Sequence, residues 1–194
     1  MKKIAVTGGI ASGKSTVCSI LHSLGAYVCS SDDVVHSLLN LPSNIERVCQ
    51  ICGDQVLIDN KIDREKVANS VFSNPLKLKE LENLLHPQAL KEIKVKFEKV
   101  KSEGNFNIFV VEAPLLFEAG WEPFFDIVIA IDSEEESSKK RYIKSGHLES
   151  DFKRRRKRQL NEDQKLKRAH FILVNKSTIE ELENETRKLF NHFS

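Results

Sequence analysis

Apolar residues recur along this chain in two periods, and the switches between them mark out its elements. Five short runs are almost continuously apolar and rich in β-branched or aromatic side chains: residues 3–7, 27–30, 108–112, 126–131 and 171–174. Runs of that kind predict strands buried on both faces, as in a parallel sheet. Between them lie stretches with a period near 3.6, the first over residues 14–24. The alternation predicts an α/β fold of three layers, with a five-stranded parallel sheet covered by helices on both faces. At the end of the chain Ile179, Leu182, Thr186, Leu189, Phe190 and Phe193 fall on one helical face, with Glu and Lys opposite. Thr178 stands where a capping residue would start that helix.

Two stretches break the alternation. Residues 40–104 contain no convincing core strand but several helical patterns, among them Leu76, Leu78, Leu81, Leu84, Leu85 and Leu90, then Ile93, Phe97 and Val100. That length is too great for one crossover helix and predicts a helical insertion. Residues 134–168 are dense in charge and poor in large apolar groups, so they are expected to lie against solvent.

The chain has 194 residues, 40% of them apolar and 30% charged, with a formal net charge of +2. This suits one α/β domain with insertions and gives no global bias toward nucleic acid. No apolar run approaches the roughly 20 residues that span a bilayer, and residue 1 leads directly into a strand rather than a signal peptide. The expectation is a cytoplasmic protein without membrane partners. Of the four cysteines, Cys49 and Cys52 form a lone CxxC with no second pair to complete a zinc site, and packing within a helix is the plainer reading.

The chemistry begins at residues 8–15, Gly-Gly-Ile-Ala-Ser-Gly-Lys-Ser. Preceded by a strand and followed by a helix, they match the phosphate-binding pattern G-x-x-x-x-G-K-[ST] in its required context. Gly8 and Gly13 permit backbone angles that let several N–H groups turn inward around a polyphosphate. The following helix aims its N-terminus at the same anion. A nucleoside triphosphate is therefore expected on Gly8, Gly9, Ile10, Ala11, Ser12, Gly13, Lys14, Ser15 and Thr16. Lys14 would reach the β- and γ-phosphates, and Ser15 would offer its hydroxyl to Mg²⁺. The bland alternative is a glycine-rich turn that binds nothing.

Three further features narrow the reaction. Asp32 lies just past the second strand, at the sheet edge where ligands gather. It is either a general base for an attacking hydroxyl or the cap of the next helix. Glu112 ends the third strand and is either a carboxylate of the Mg²⁺ shell or a polar strand end. Residues 153–158, Lys-Arg-Arg-Arg-Lys-Arg, fit a mobile lid that brings arginine onto a transferring phosphoryl group, a nucleic-acid patch, or a solvated helix. The run lacks interleaved aromatics apart from Phe152, which weakens the nucleic-acid reading. GTPase signatures are missing: Asn175-Lys176-Ser177-Thr178 has no aspartate to read guanine, and no D-x-x-G follows the third strand. Asn175 reads as an amide that faces a base or closes a turn.

These residues together resemble the dephospho-coenzyme A kinase family over essentially the whole chain. The resemblance is carried by residues 7–16, by Gly25-Ala26 leading to Asp32, by Leu85-His86-Pro87, by Pro114-Leu115-Leu116-Phe117-Glu118, and by Arg155 with Gln159. It implies a nucleoside-monophosphate-kinase-like fold with a helical acceptor domain and a helical lid, and transfer of the ATP γ-phosphoryl group to the ribose 3′-hydroxyl of dephospho-CoA with Mg²⁺. In those terms residues 1–39, 105–133 and 169–194 form the nucleotide core, 40–104 the acceptor domain and 134–168 the lid. Asp32 becomes the general base, Arg155 the lid arginine, and Asn175 a contact to adenine. His86 and Pro87 mark the acceptor domain, with Leu116, Phe117 and Trp121 on the acceptor side; Trp121 is alternatively an anchor for its loop. Without the resemblance His86 reads as an ordinary helix-start histidine. The chain departs from the family pattern where Ser30 replaces a frequent aspartate, Lys140 and Lys144 fall near frequent arginines with Arg141 one step out of register, His170 replaces an aspartate, and Asn161 a proline. Other small acceptors for a kinase of the same fold, and a nucleic-acid-associated ATPase, are the competing functions.

Overall fold

Ile108, Phe109, Val110 and Val111 leave the third major strand no polar face, so it must be covered from both sides. In the computed structural model, which describes residues 1–176 and 178–193, it is. The chain divides into two compact units, residues 1–30 with 97–194, and residues 31–96.

The first unit is built on β1 (Lys2–Gly8), followed by α1 (Lys14–Ser23) and β2 (Tyr27–Ser30). The second unit carries α2 (Ser31–Leu39), α3 (Pro42–Cys52), β3 (Leu57–Ile58), β4 (Lys61–Ile62), α4 (Arg64–Phe72) and most of α5 (Pro75–Glu103). The chain then returns to the first unit with β5 (Ile108–Glu112), β6 (Ile127–Asp132), α6 (Glu135–Lys144), α7 (Glu149–Arg156), α8 (Glu162–Arg168), β7 (Phe171–Val174) and α9 (Ile179–Phe193).

All five long strands are parallel, in the order β2-β5-β1-β6-β7. Register places Ser30 opposite Glu112, and Val6 opposite Glu112 on the other side, so these carboxyl ends finish level with the start of the phosphate loop. One face of the sheet gives Ile4, Val6, Val110, Ile129 and Ile131 to a core closed by Val17 and Leu21 of α1 and by Leu182 and Phe193 of α9. On the other face Phe109 stacks on Tyr27 at 5.3 Å and meets Phe97 edge-on at 5.4 Å. α8 packs against β1 and β6. The three-layer α/β/α expectation is met. β6 starts one residue later than expected because the Asp126 carboxylate accepts from the Lys3 N–H at 2.7 Å.

The second unit holds two surprises. Asp59 and Asn60 both have positive φ, 48° and 60°, which closes β3 and β4 into a tight hairpin where only helices were expected. And α5 is a single 29-residue helix that runs through Pro87. Its buried stripe, Leu81, Leu85, Ala89 and Ile93 in this unit, is spaced every fourth residue and outweighs the lost backbone bond at proline. His86 is therefore mid-helix, not at a helix start. Asn44 and Gln88 exchange side-chain amide bonds of 2.9 and 3.1 Å, which fastens α3 to α5. Leu76, by contrast, is exposed.

Thr178 does cap α9, its hydroxyl accepting from the Glu181 N–H at 3.3 Å. Leu182, Thr186 and Phe193 are buried as the helical face requires, but Ile179 is 61% exposed and leaves that face. Among the described residues no helix is long and apolar enough to cross a membrane. Leu182→Ala should cost about 2–5 kcal/mol in urea unfolding, whereas Ile179→Ala should stay within about 0.5 kcal/mol of the parent.

Candidate active site

The phosphate loop forms as its glycines require. Gly8 has φ 147° and Gly13 φ 105°, and a Cβ on Gly13 would run into the Asn175 amide. Lys14 is buried at the start of α1, and its ammonium donates to the carbonyls of Gly9 at 2.7 Å and Gly8 at 3.4 Å. The hydroxyls of Ser12 and Thr7 are buried without a hydrogen-bond partner among the described residues. Unsatisfied buried polar atoms are costly, and here they cluster at an anion-shaped loop.

Immediately after the lysine, the Ser15 hydroxyl donates to the Glu112 carboxylate at 2.8 Å. The strand register accounts for the meeting, since Glu112 ends β5 beside β1. A hydroxyl and a carboxylate oxygen are the hard donors a small divalent cation takes.

Three side chains from distant parts of the sequence hold the loop. The Asn175 amide donates to the Ser12 carbonyl at 2.7 Å. Arg141 donates through Nε to the Ala11 carbonyl at 3.0 Å, while its other nitrogens reach the hydroxyls of Ser133 and Ser138. The Gln159 carbonyl accepts from the Ile10 N–H at 3.1 Å. Gln159 also donates to the Pro114 carbonyl at 3.3 Å, and Lys165 donates to the same oxygen at 2.6 Å. Lys165 is 1% exposed, although residues 134–168 were expected to face solvent. Burial pushes its ammonium pKa down, and the Glu118 carboxylate at 2.9 Å works against that shift. Glu118 accepts from the Leu160 N–H as well, at 2.7 Å. Leu116, Phe117 and Trp121 of this segment are buried, and Arg168 lies over the Phe117 ring at 4.3 Å.

Arg155 does not touch the loop. Its Nε bonds the Asp151 carboxylate at 2.9 Å, which also takes Arg154 at 2.8 Å and the Tyr142 hydroxyl. Burial raises the Asp151 carboxyl, but that hydroxyl and the two guanidinium groups outweigh it and hold its pKa at about 2. Most of the basic run is exposed.

The remaining candidates lie in the second unit. Asp32 is exposed in the first turn of α2, which begins at Ser31, so Asp32 is inside the helix rather than its cap. His86 is half-buried and Pro87 exposed on α5. Cys49 and Cys52 sit in α3, and no cluster of three metal-ligating side chains exists among the described residues.

Several departures from the family pattern have local explanations. Asn161 caps α8, accepting from the Gln164 N–H at 2.8 Å, in a reciprocal capping box. His170 uses Nδ1 as an acceptor for the Val128 N–H at 2.9 Å, a task a carboxylate could also perform. Lys140 and Lys144 are exposed, and Arg141 makes the loop contact. Sequence reasoning noted Arg141 only as one step out of register and gave it no role, and it passed over Lys165. The i,i+3 pair Ser138–Arg141 in a strongly charged helix was a weak signal for the first; nothing local marks the second.

One informative change at the site is Gly13→Ala. It forces a side chain into a left-handed backbone and against Asn175, and should weaken nucleoside-triphosphate binding by more than about tenfold in calorimetry. Another is Asp151→Asn. Because the folded carboxyl sits near 2 rather than 3.8, its stabilisation is complete above about pH 4 and fades as pH falls toward 2. The stability gap between parent and variant should therefore be widest at neutral pH and shrink over that window.

Known proteins agree with this geometry. The dephospho-CoA kinase family model matches residues 2–181. A dephospho-CoA kinase from Protochlamydia amoebophila is 37% identical over 193 residues, covering 98% of this chain and 95% of its own. The solved dephospho-CoA kinase from Campylobacter jejuni superposes with a TM-score of 0.74 at 33% identity, covering 100% of this chain and 98% of its own. A solved Thermus thermophilus protein gives 0.82 at 28% identity, with coverage of 100% and 98%. With a family match spanning nearly its whole length and a relative this similar, the chain belongs to the dephospho-CoA kinase family.

Proposed function

We propose that the chain transfers the γ-phosphoryl group of ATP to the ribose 3′-hydroxyl of dephospho-CoA, giving coenzyme A and ADP. The observation that carries this reading is the pairing of a formed phosphate loop with the Ser15–Glu112 contact at 2.8 Å, in a chain of this family. The phosphates occupy the inward N–H groups of residues 8–16, and the Ser12 hydroxyl gains the partner it lacks. The Lys14 ammonium moves from the loop carbonyls onto the β- and γ-phosphates. The base enters a surface cavity of about 450 Å³ lined by Ser15, Thr16, Ser19, Ile20, Ile179 and Glu183. Asn175 serves this site by holding the loop at Ser12.

Ser15 and Glu112 are the residues that would hold Mg²⁺. Two protein oxygens suit an ion that keeps several waters and takes phosphate oxygens for the rest. Held there, the ion would offset charge on the β- and γ-phosphates. Asp32 accepts the proton of the attacking 3′-hydroxyl. Arg155 leaves Asp151 to meet the transferring group, and Arg141 already stands on the loop. We assign residues 40–104 to acceptor binding, with His86 and Pro87 on that side and Leu116, Phe117 and Trp121 supporting it, and 134–168 to a lid that excludes water. Residues 1–39, 105–133 and 169–194 bind the nucleotide. The chemistry needs no nucleic acid and no membrane, and its substrates fit a cytoplasmic location.

ADP release should require both dephospho-CoA and a divalent cation, and the acceptor should gain the mass of one phosphate. Turnover of ATP indifferent to dephospho-CoA would point to another acceptor. Asp32→Asn should cut turnover about 10²- to 10⁴-fold with the KM for ATP nearly unchanged; full activity would remove Asp32 from the base role.

A further inference from the structure

Arg64 is placed where stability alone would not put it. It is the first residue of α4, where the helix dipole favours an acid and disfavours a cation. No carboxylate pairs with it among the described residues. Its NH1 instead lies 2.6 Å from Nδ1 of His36. A guanidinium group has donors only, so Nδ1 of His36 is the acceptor of this contact. The positive charge of Arg64 is thus held at the exposed edge of α2 and α4.

The position along α2 gives this pair a meaning. His36 follows Asp32 by four residues, so the two side chains share a face about 5–6 Å apart. In a nucleotide whose 3′-oxygen is being deprotonated, the 5′-phosphate lies five bonds away, within reach of a side chain one helix turn from the base. The acceptor is also an anion approaching Asp32 and Asp33, and a carboxylate base there repels its diphosphate. A cation one turn from the base offsets that repulsion.

We propose that Arg64, oriented by His36, binds the 5′-diphosphate of the acceptor while Asp32 faces its 3′-hydroxyl. This rests on the reading of the chain as a dephospho-CoA kinase and adds the contact that selects phosphorylated acceptors over plain nucleosides. Arg64 is the binding group, and His36 is a positioning residue that fixes the guanidinium.

The test compares Arg64→Leu and Arg64→Lys with the parent, using dephospho-CoA and, as a phosphate-free acceptor with the same 3′-hydroxyl, adenosine. Arg64→Leu should raise the KM for dephospho-CoA about tenfold to a hundredfold, the worth of one charge-assisted hydrogen bond. The KM for ATP and the efficiency with adenosine should stay within about twofold. Arg64→Lys keeps the charge without the fork and should recover part of the loss. An unchanged KM for dephospho-CoA in Arg64→Leu, or an equal loss with adenosine and with ATP, would overturn the assignment. Equal losses in the leucine and lysine variants would make the residue a packing element and would overturn it too. If the parent itself phosphorylates neither acceptor, the kinase reading fails first, and binding of dephospho-CoA to parent and Arg64→Leu by calorimetry then decides this contact separately.

Discussion

Everything in the first unit answers to one constraint: a loop of backbone donors must stay turned inward on itself. Residues 8–13 have no hydrogen-bond ladder to hold that shape; within the loop the Ser12 N–H meets the Gly9 carbonyl at 3.3 Å, and the rest of the hold comes from outside. The sheet fixes both ends, with Gly8 finishing β1 and Lys14 opening α1. Lys14 ties down Gly8 and Gly9, Gln159 takes Ile10, Arg141 takes Ala11, and Asn175 takes Ser12. Nearly each residue of the loop is thus held by a side chain from a different element. Such preorganisation lets electrostatic stabilisation act without reorganisation cost during phosphoryl transfer.

The same contacts tie the loop to the segment after β5. Gln159 and Lys165 share the Pro114 carbonyl, and Lys165 and Leu160 share Glu118. A displacement of the α7–α8 connection is therefore felt at both the phosphate loop and the Pro114–Glu118 stretch. Arg155 is outside this network and is kept by Asp151 within its own helix. Residues 134–168 thus place one arginine, Arg141, on the loop and keep another, Arg155, on an acid one helix turn away.

The sheet was legible because parallel strands buried on both faces leave short apolar runs that nothing else explains. The loop and the Ser15–Glu112 pair were legible because their spacing is chemical: glycine, lysine and hydroxyl at fixed offsets, and an acid at a strand end. What could not be read are places where tertiary packing overrides a local rule. Pro87 should break a helix, yet the stripe of Leu81, Leu85, Ala89 and Ile93 carries α5 through it. Ile179 has the right period for the core and is nonetheless exposed. Arg141, Gln159 and Lys165 meet residues more than forty positions away, and no local pattern encodes such contacts. The hairpin at Asp59-Asn60 was readable from its turn residues and was obscured by the shortness of its strands.

The central claim is that phosphate leaves ATP for one particular oxygen, the acceptor's 3′-hydroxyl. It is tested most directly by offering the enzyme the 2′-deoxy and the 3′-deoxy forms of dephospho-CoA with Mg²⁺-ATP and weighing the products. The account predicts that the 2′-deoxy form gains one phosphate and the 3′-deoxy form gains none. Phosphorylation of the 3′-deoxy form would contradict it.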